Sequence, residues 1–208
     1  MSFFEPPPAL PEPPERPPTP EWVGAPDNVR PEPFPLAETL VRTDAVFIQV
    51  YAGLAFPKGF EFSFQLVRRE ARQGRHDNPI HSWHEVQRGG ELEPEQLRFG
   101  IQDAAGGKAT VFGRRFPPRE DPPTGPILSP NGGGGGMHRY DMRFWVWPIP
   151  PPGPFAFVVE WPSEGVELTR VEIDSEPIRE AAARAEELWP GGPDAGGRSS
   201  GTSFMHGK

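Results

Sequence analysis

The chain of 208 residues contains no cysteine, which excludes a disulfide scaffold, thiolate catalysis and cysteine-based metal sites. It also lacks any apolar run near the eighteen or so residues needed to span a bilayer, so no membrane partner is expected. The opening Met1-Ser2-Phe3-Phe4-Glu5-Pro6 has neither the basic start nor the apolar stretch of a secretory signal, and the expected location is the cytoplasm. Positive charge is short too: net charge is −8, and the basic residues are scattered pairs such as Arg68–Arg69 and Arg114–Arg115. No nucleic-acid partner is expected from such a surface.

What is abundant is proline (31) and glycine (24). Thirteen of the prolines fall in the first 35 residues, a density incompatible with helix or sheet interior. Residues 1–36 are therefore read as a disordered, proline-rich polyproline II arm. Residues 191–208 are read as a disordered Gly-rich tail, and 37–190 as one folded domain of ordinary size. Within the arm, Pro8, Pro11, Pro14, Pro17 and Pro20 recur every third residue and would line one edge of a three-residue-per-turn rod. Such an edge suits an aromatic-lined groove on another protein. A composition this rich in proline also produces the period cheaply, and a plain spacer, or a rod lying on its own domain with Phe3, Phe4 or Trp22 as anchors, is the competing explanation.

The domain reads as short alternating runs. Val46, Ile48 and Val50 form one, and Phe60, Phe62, Phe64 and Leu66 another. Leu97, Phe99 and Ile101 form a third, which Gly106–Gly107 turn back into Lys108–Phe112. Residues 71–91 and 113–137 read as loops, the second ending in five glycines. The segment from Arg139 to Trp161 reads as a hairpin turning at the prolines of 148–154. Pairing Phe144 with Phe157 makes one face wholly apolar. That register also sets Asp141 opposite Glu160 on the outer face, beside Arg139 and Arg143. A strand over Val166–Ile173 precedes a helix of about 176–189, with Ser175 or Asp174 as cap, a first-turn proline and an apolar stripe through Ile178, Ala181, Ala182, Ala185, Leu188 and Trp189. The fold class that follows is mainly β: an antiparallel β-sandwich, Immunoglobulin-like in general shape, with one C-terminal α-helix.

The opening Met1–Pro8, the Phe60-Glu61-Phe62 strand, the glycine run, Arg143-Phe144-Trp145-Val146-Trp147-Pro148 and Glu160-Trp161-Pro162 together resemble a family of actinobacterial conserved hypothetical proteins with no assigned activity. The resemblance covers about residues 1–190 and is most specific in the Trp-rich segment. It implies one folded unit carrying a proline-rich arm, and no particular chemistry.

Chemical motifs are sparse. His76, His81 and His84, with Asp77 and Glu85, are the candidate metal ligands, but H-x4-H-x2-H matches no standard zinc spacing, and a solvated polar loop is the simpler account. The run Gly132–Gly136 lacks the Lys-Ser/Thr and the helix that a phosphate loop needs, and reads as a linker. No G-x-S-x-G elbow is present. Asp141 and Glu160 as a carboxylate pair would more simply be neutralised by Arg139 and Arg143. No cofactor is implied. Trp145 and Trp147, on one side of a strand with Arg143 and Asp141 beside them, are the binding candidates. Either they form an open aromatic platform, or the terminal helix or the arm with Trp22 covers them, and coverage is the favoured reading for two large indoles. The functional expectation is a non-enzymatic protein-interaction module using the proline arm or the Trp-bearing face. The alternatives are a small-ligand or carbohydrate-binding sandwich, and an enzyme whose site would have to gather His81, His84, Asp141 or Glu160.

Overall fold

The computed structural model describes residues 20–71, 79–113 and 122–189, with the side chains of 79–81 outside that description. Its architecture is two antiparallel sheets packed face to face, as the strand pattern predicts. Strands β1 (Val29–Arg30), β2 (Glu32–Arg42), β3 (Val46–Ala55) and β4 (Phe60–Arg68) are followed by helix α1 (Pro79–Gln87). Next come β5 (Arg98–Gln102), β6 (Lys108–Thr110), β7 (Ile127–Gly135), β8 (Arg139–Trp147) and β9 (Pro154–Trp161). The chain closes with β10 (Val166–Asp174), α2 (Glu176–Arg184) and β11 (Glu186–Glu187). One sheet has the order β2-β3-β4-β8-β7, the other β10-β9-β5-β6, and β1 pairs with β11 as a separate ribbon.

Period-two alternation fills the space between the sheets. Phe60, Phe62, Phe64 and Leu66 of β4 and Tyr140, Met142, Phe144 and Val146 of β8 point inward, as do Phe99 of β5 and Phe155, Phe157 and Val159 of β9. Aromatic rings join the two layers: Phe62 lies 5.1 Å from Phe157, Phe64 4.8 Å from Phe99, and Phe60 5.4 Å from Phe155. Tilted and edge-on rings at these separations add to the stabilisation from burial alone.

The expected hairpin from Arg139 to Trp161 does not exist. Strand β8 pairs with β4 and β7, and β9 with β5 and β10. The prolines between them, beginning with the cis Trp147–Pro148 bond, carry the chain from one sheet to the other. The inward-facing residues are those expected, but Phe144 and Phe157 meet across the sandwich rather than along a ladder. Burial fixes which face a residue occupies, and two facing sheets satisfy it as well as one hairpin does.

Four further expectations are corrected. The folded unit begins before residue 37: Phe34 and Leu36 are core residues of β2, whose exposed Pro33 and Pro35 are tolerated because β2 is an edge strand. The expected loop 71–91 contains α1, which buries Trp83 against Phe64 and Phe144 and donates the Trp83 indole N–H to the Leu97 carbonyl at 2.7 Å. The glycine run is not a linker, because Gly132–Gly135 belong to β7. Helix α2 ends at Arg184 instead of about 189, so Ile178, Ala181 and Ala182 are buried while Leu188 and Trp189 are exposed.

The last of these has a clear cause. The amide of Asn28, 3% exposed, donates to the Trp189 carbonyl at 2.9 Å and to Glu187 at 3.2 Å, and its oxygen accepts from the Trp189 N–H at 3.0 Å. The Leu188 N–H donates to the Asn28 carbonyl at 3.0 Å, and Arg30 pairs with Glu186 at 2.9 Å. These partners replace the helical hydrogen bonds that residues 186–189 would otherwise make.

Candidate functional site

The site candidates lie on the outer face of the five-stranded sheet. Opposite partners across an antiparallel ladder share a face, so Leu54, Glu61, Trp145 and Ser129 form one row and Tyr51, Ser63 and Arg143 the next. Gln49, Gln65, Asp141 and Gly134 form a third. The face has an aromatic end and a polar end.

At the polar end Asp141 collects donors. Arg139 reaches it with two guanidinium nitrogens, at 2.6 and 3.0 Å, Gln65 at 2.8 Å and the Tyr51 hydroxyl at 3.2 Å. Gln49 in turn donates to Gln65 at 3.0 Å. The hydrogen bonds from Arg139, aided by Gln65, by the Arg139 charge and by Tyr51, hold the Asp141 carboxyl below its ordinary value. Asp141 is therefore an anion fixed in a network, unsuited to proton transfer near neutral pH.

Glu61 behaves in the opposite way. It is 8% exposed, and burial raises its pKa, opposed by the hydrogen bond from Asn131 and by the positive charge of Arg143. Asn131 reaches Glu61 because β7 bulges between Pro130 and Gly133. Gly132 takes φ +89° in that bulge, a conformation that strongly favours glycine. The glycine run thus aims a side chain, a role its composition did not reveal.

At the aromatic end, Trp145 is fully buried and Trp147 half-buried. Trp145 lies against Phe56 at 5.5 Å and over Gly59, where a Cβ would come within 2.5 Å of the indole. The arm root completes the enclosure. Trp145 donates its indole N–H to the Glu21 carbonyl at 3.2 Å, and Trp147 donates to the Glu21 carboxylate at 3.4 Å. Trp22 meets the Trp147 ring edge-on at 6.0 Å. The open Trp145/Trp147 platform is thus replaced by the covered arrangement, with the segment of Trp22 and not the terminal helix as its cover. Arg143, two residues along β8 from Trp145, is exposed.

The other candidates are dispersed. Asp141 and Glu160 stand on different sheets, and Glu160 pairs with Arg98 at 2.7 Å. Of the arm prolines, Pro20 is described and its carbonyl accepts the Val23 N–H at 2.9 Å; Pro8, Pro11, Pro14 and Pro17 lie outside the described residues, as do His76 and the His81 side chain. His84 sits in the last turn of α1. Among the described residues, no group of three or more His, Asp or Glu side chains is placed to hold a metal ion, and no helix is long and apolar enough to cross a membrane. A depression of about 400 Å³ is lined by Asp44, Ala45, Arg68, Arg69, Glu70 and Glu164. Arg68 and Glu164, both nearly buried, pair there at 3.3 Å, with Arg68 stacked over Trp161 at 4.5 Å. Three carboxylates facing two guanidinium groups leave that depression without a surplus of positive charge.

The chain matches no protein-family model, no curated protein and no solved structure. Its function is accordingly argued from the site.

Proposed function

We propose that this protein is a non-enzymatic interaction module that docks to another protein through its proline-rich arm, with the Trp-bearing face of β8 as the anchor from which the arm is displayed. The observation carrying this reading is the seating of Glu21 and Trp22 on Trp145 and Trp147, immediately after the last proline of the Pro8–Pro20 repeat. A rigid sandwich that grips the root of a polyproline segment sets where that segment leaves the domain, and fixing its origin reduces the entropy lost on docking. The acidic net charge and the fixed Asp141 network favour neither nucleic acid nor acid/base catalysis. The aromatic end could take a sugar ring or small ligand only after the arm root leaves it. The proposal keeps the resemblance to the actinobacterial family as its setting: one folded unit and its arm.

The test compares partner complexes of the full chain with those of a chain beginning at Pro20, which retains the anchor. Cross-linking and mass spectrometry in a host lysate are expected to recover a partner with the full chain only. A complex that survives removal of residues 1–19 unchanged takes the proline repeat out of the mechanism.

A further inference from the structure

The two sides of the contact at the aromatic end are unequally fixed. Trp145 is wholly buried and held from its own sheet by Phe56 and by the close approach of Gly59, so the acceptor surface is organised from within the domain. The strap laid on it is less enclosed: Pro20 and Trp22 are half-buried and Glu21 is exposed. Between the strap and the next tether, the Asn28 cluster, lie Val23, Gly24, Ala25, Pro26 and Asp27, none of them fully buried. The strap meets β8 through long indole hydrogen bonds from Trp145 and Trp147 and an edge-on ring contact between Trp22 and Trp147. A preformed acceptor under a ligand that stays partly exposed is the arrangement expected of a binding groove occupied in cis.

We infer that the Trp145/Trp147 face is a peptide-docking groove, closed in cis by Pro20–Trp22, whose ligand in trans is a turn-forming segment of a partner protein carrying proline, a carboxylate and tryptophan in succession. This deepens the interaction-module reading and rests on it. The ligand chemistry is that of the present occupant. A main-chain carbonyl accepts from the Trp145 indole, a carboxylate accepts from the Trp147 indole, and an aromatic ring packs edge-on against Trp147. The Pro20 carbonyl accepts the Val23 N–H at 2.9 Å, so the occupant presents these groups from a tight turn. Exposed Arg143, two residues from Trp145 on the same face, adds a charge that attracts an acidic segment and repels a basic one. A tethered competitor lowers apparent affinity by the fraction of molecules in which it is seated, so displacement of the strap and capture of a partner become one event.

The experiment uses a fluorescently labelled peptide of residues 17–24 (Pro-Pro-Thr-Pro-Glu-Trp-Val-Gly) as the probe and the full chain as receptor. By anisotropy, a Glu21→Ala/Trp22→Ala receptor is expected to bind the probe at least about tenfold more tightly than the unaltered chain, the factor for a strap seated in nine molecules of ten. Adding Trp147→Ala to that receptor, or replacing the tryptophan of the probe by alanine, is expected to abolish the gain. A second readout is the Trp147 indole N–H resonance, identified by its loss in Trp147→Ala, which should shift as the probe is added. Equal affinities for the two receptors, no binding to the strap variant, or binding indifferent to Trp147→Ala would each overturn the groove. Strap-dependent self-association in sedimentation would overturn the partner by assigning the occupant to a second copy. None of these outcomes touches the arm-deletion test, so failure of the groove and failure of the interaction module are separable.

Discussion

The two faces of β8 come from one nine-residue strand and are held by different physics. The inner face, Tyr140, Met142, Phe144 and Val146, is buried on all sides among aromatic and aliphatic side chains. The outer face, Arg139, Asp141, Arg143, Trp145 and Trp147, runs from an exposed ion pair to a fully buried indole within eight residues. Inside, many neighbours share each contact and no single partner matters. Outside, each residue depends on a few named partners, drawn from β3, β4, the turn between them, β8 itself or the arm root. The lesson is that the stable part of this sheet and its specific part are separate faces of the same strands.

Five substitutions test that contrast, in order of decreasing effect. Phe144→Ala removes a ring in contact with Phe62, Phe99 and Trp83 and is expected to cost about 3–5 kcal/mol in urea unfolding. Gly133→Ala places a Cβ 2.5 Å from the Asp141 carbonyl oxygen, and the resulting shift of β7 is expected to cost about 1–3 kcal/mol. Trp147→Ala, on the outer face and half-buried, is expected to cost no more than about 2 kcal/mol; a loss matching that of Phe144→Ala would erase the distinction between the faces.

The two acids give the smallest effects, with opposite signs against pH. Asp141→Asn weakens a pair whose side chains are 58% and 37% exposed, and is expected to cost under about 1 kcal/mol at neutral pH. Because the folded-state pKa of Asp141 is depressed, its contribution is complete above the ordinary value of 3.8 and fades as pH falls towards the folded value. The deficit of the variant should therefore shrink in acid. Glu61→Gln keeps an oxygen for Asn131 but removes a carboxylate whose pKa is raised by burial. The folded protein holds that proton more tightly than the unfolded chain does, so stability of the unaltered protein declines as pH rises above 4.5. The variant should gain on it over that interval, and parallel stability profiles for the two proteins would refute the assignment.

Much of the sheet was legible because burial imposes a period that residues display directly. Phe60, Phe62, Phe64 and Leu66 could only be a strand face, and Leu97–Ile101 with Gly106–Gly107 could only be a strand and its turn. Pairing was less legible. A face rich in phenylalanine specifies that it must be covered, not by which layer, and the prolines of 148–154 fit a sheet-to-sheet crossing as readily as a hairpin turn. Helix α1 was hidden because its sequence Pro-Ile-His-Ser-Trp-His-Glu-Val-Gln carries little apolar content, and among its described side chains Trp83 is the large buried anchor. A first-turn proline ahead of Trp83 was the available signal.

At the site, Trp145, Trp147, Arg143 and Asp141 were all singled out from β8 alone, and Trp22 was named as a cover. Glu61, Asn131 and Phe56 were not, because each acquires its role only from a neighbour distant in sequence. Glu61 is an outward residue of an alternating strand until Trp145 and the β7 bulge close over it. Asn131 is a residue before a glycine run until the bulge at Gly132 aims it at Glu61.

By itself, then, the sequence determined the antiparallel β class, the inward face of each long strand, the proline repeat of the arm and the absence of thiol chemistry. All four are local properties, set by composition or by side-chain alternation along one segment. The tertiary structure alone decided that β8 and β9 belong to different sheets, that α2 stops where Asn28 takes over its last polar groups, and that the arm root closes the aromatic end. Those outcomes depend on contacts between segments tens to more than a hundred residues apart, and no local pattern encodes which of several satisfactory partners a buried face or a hydrogen-bonding group will find.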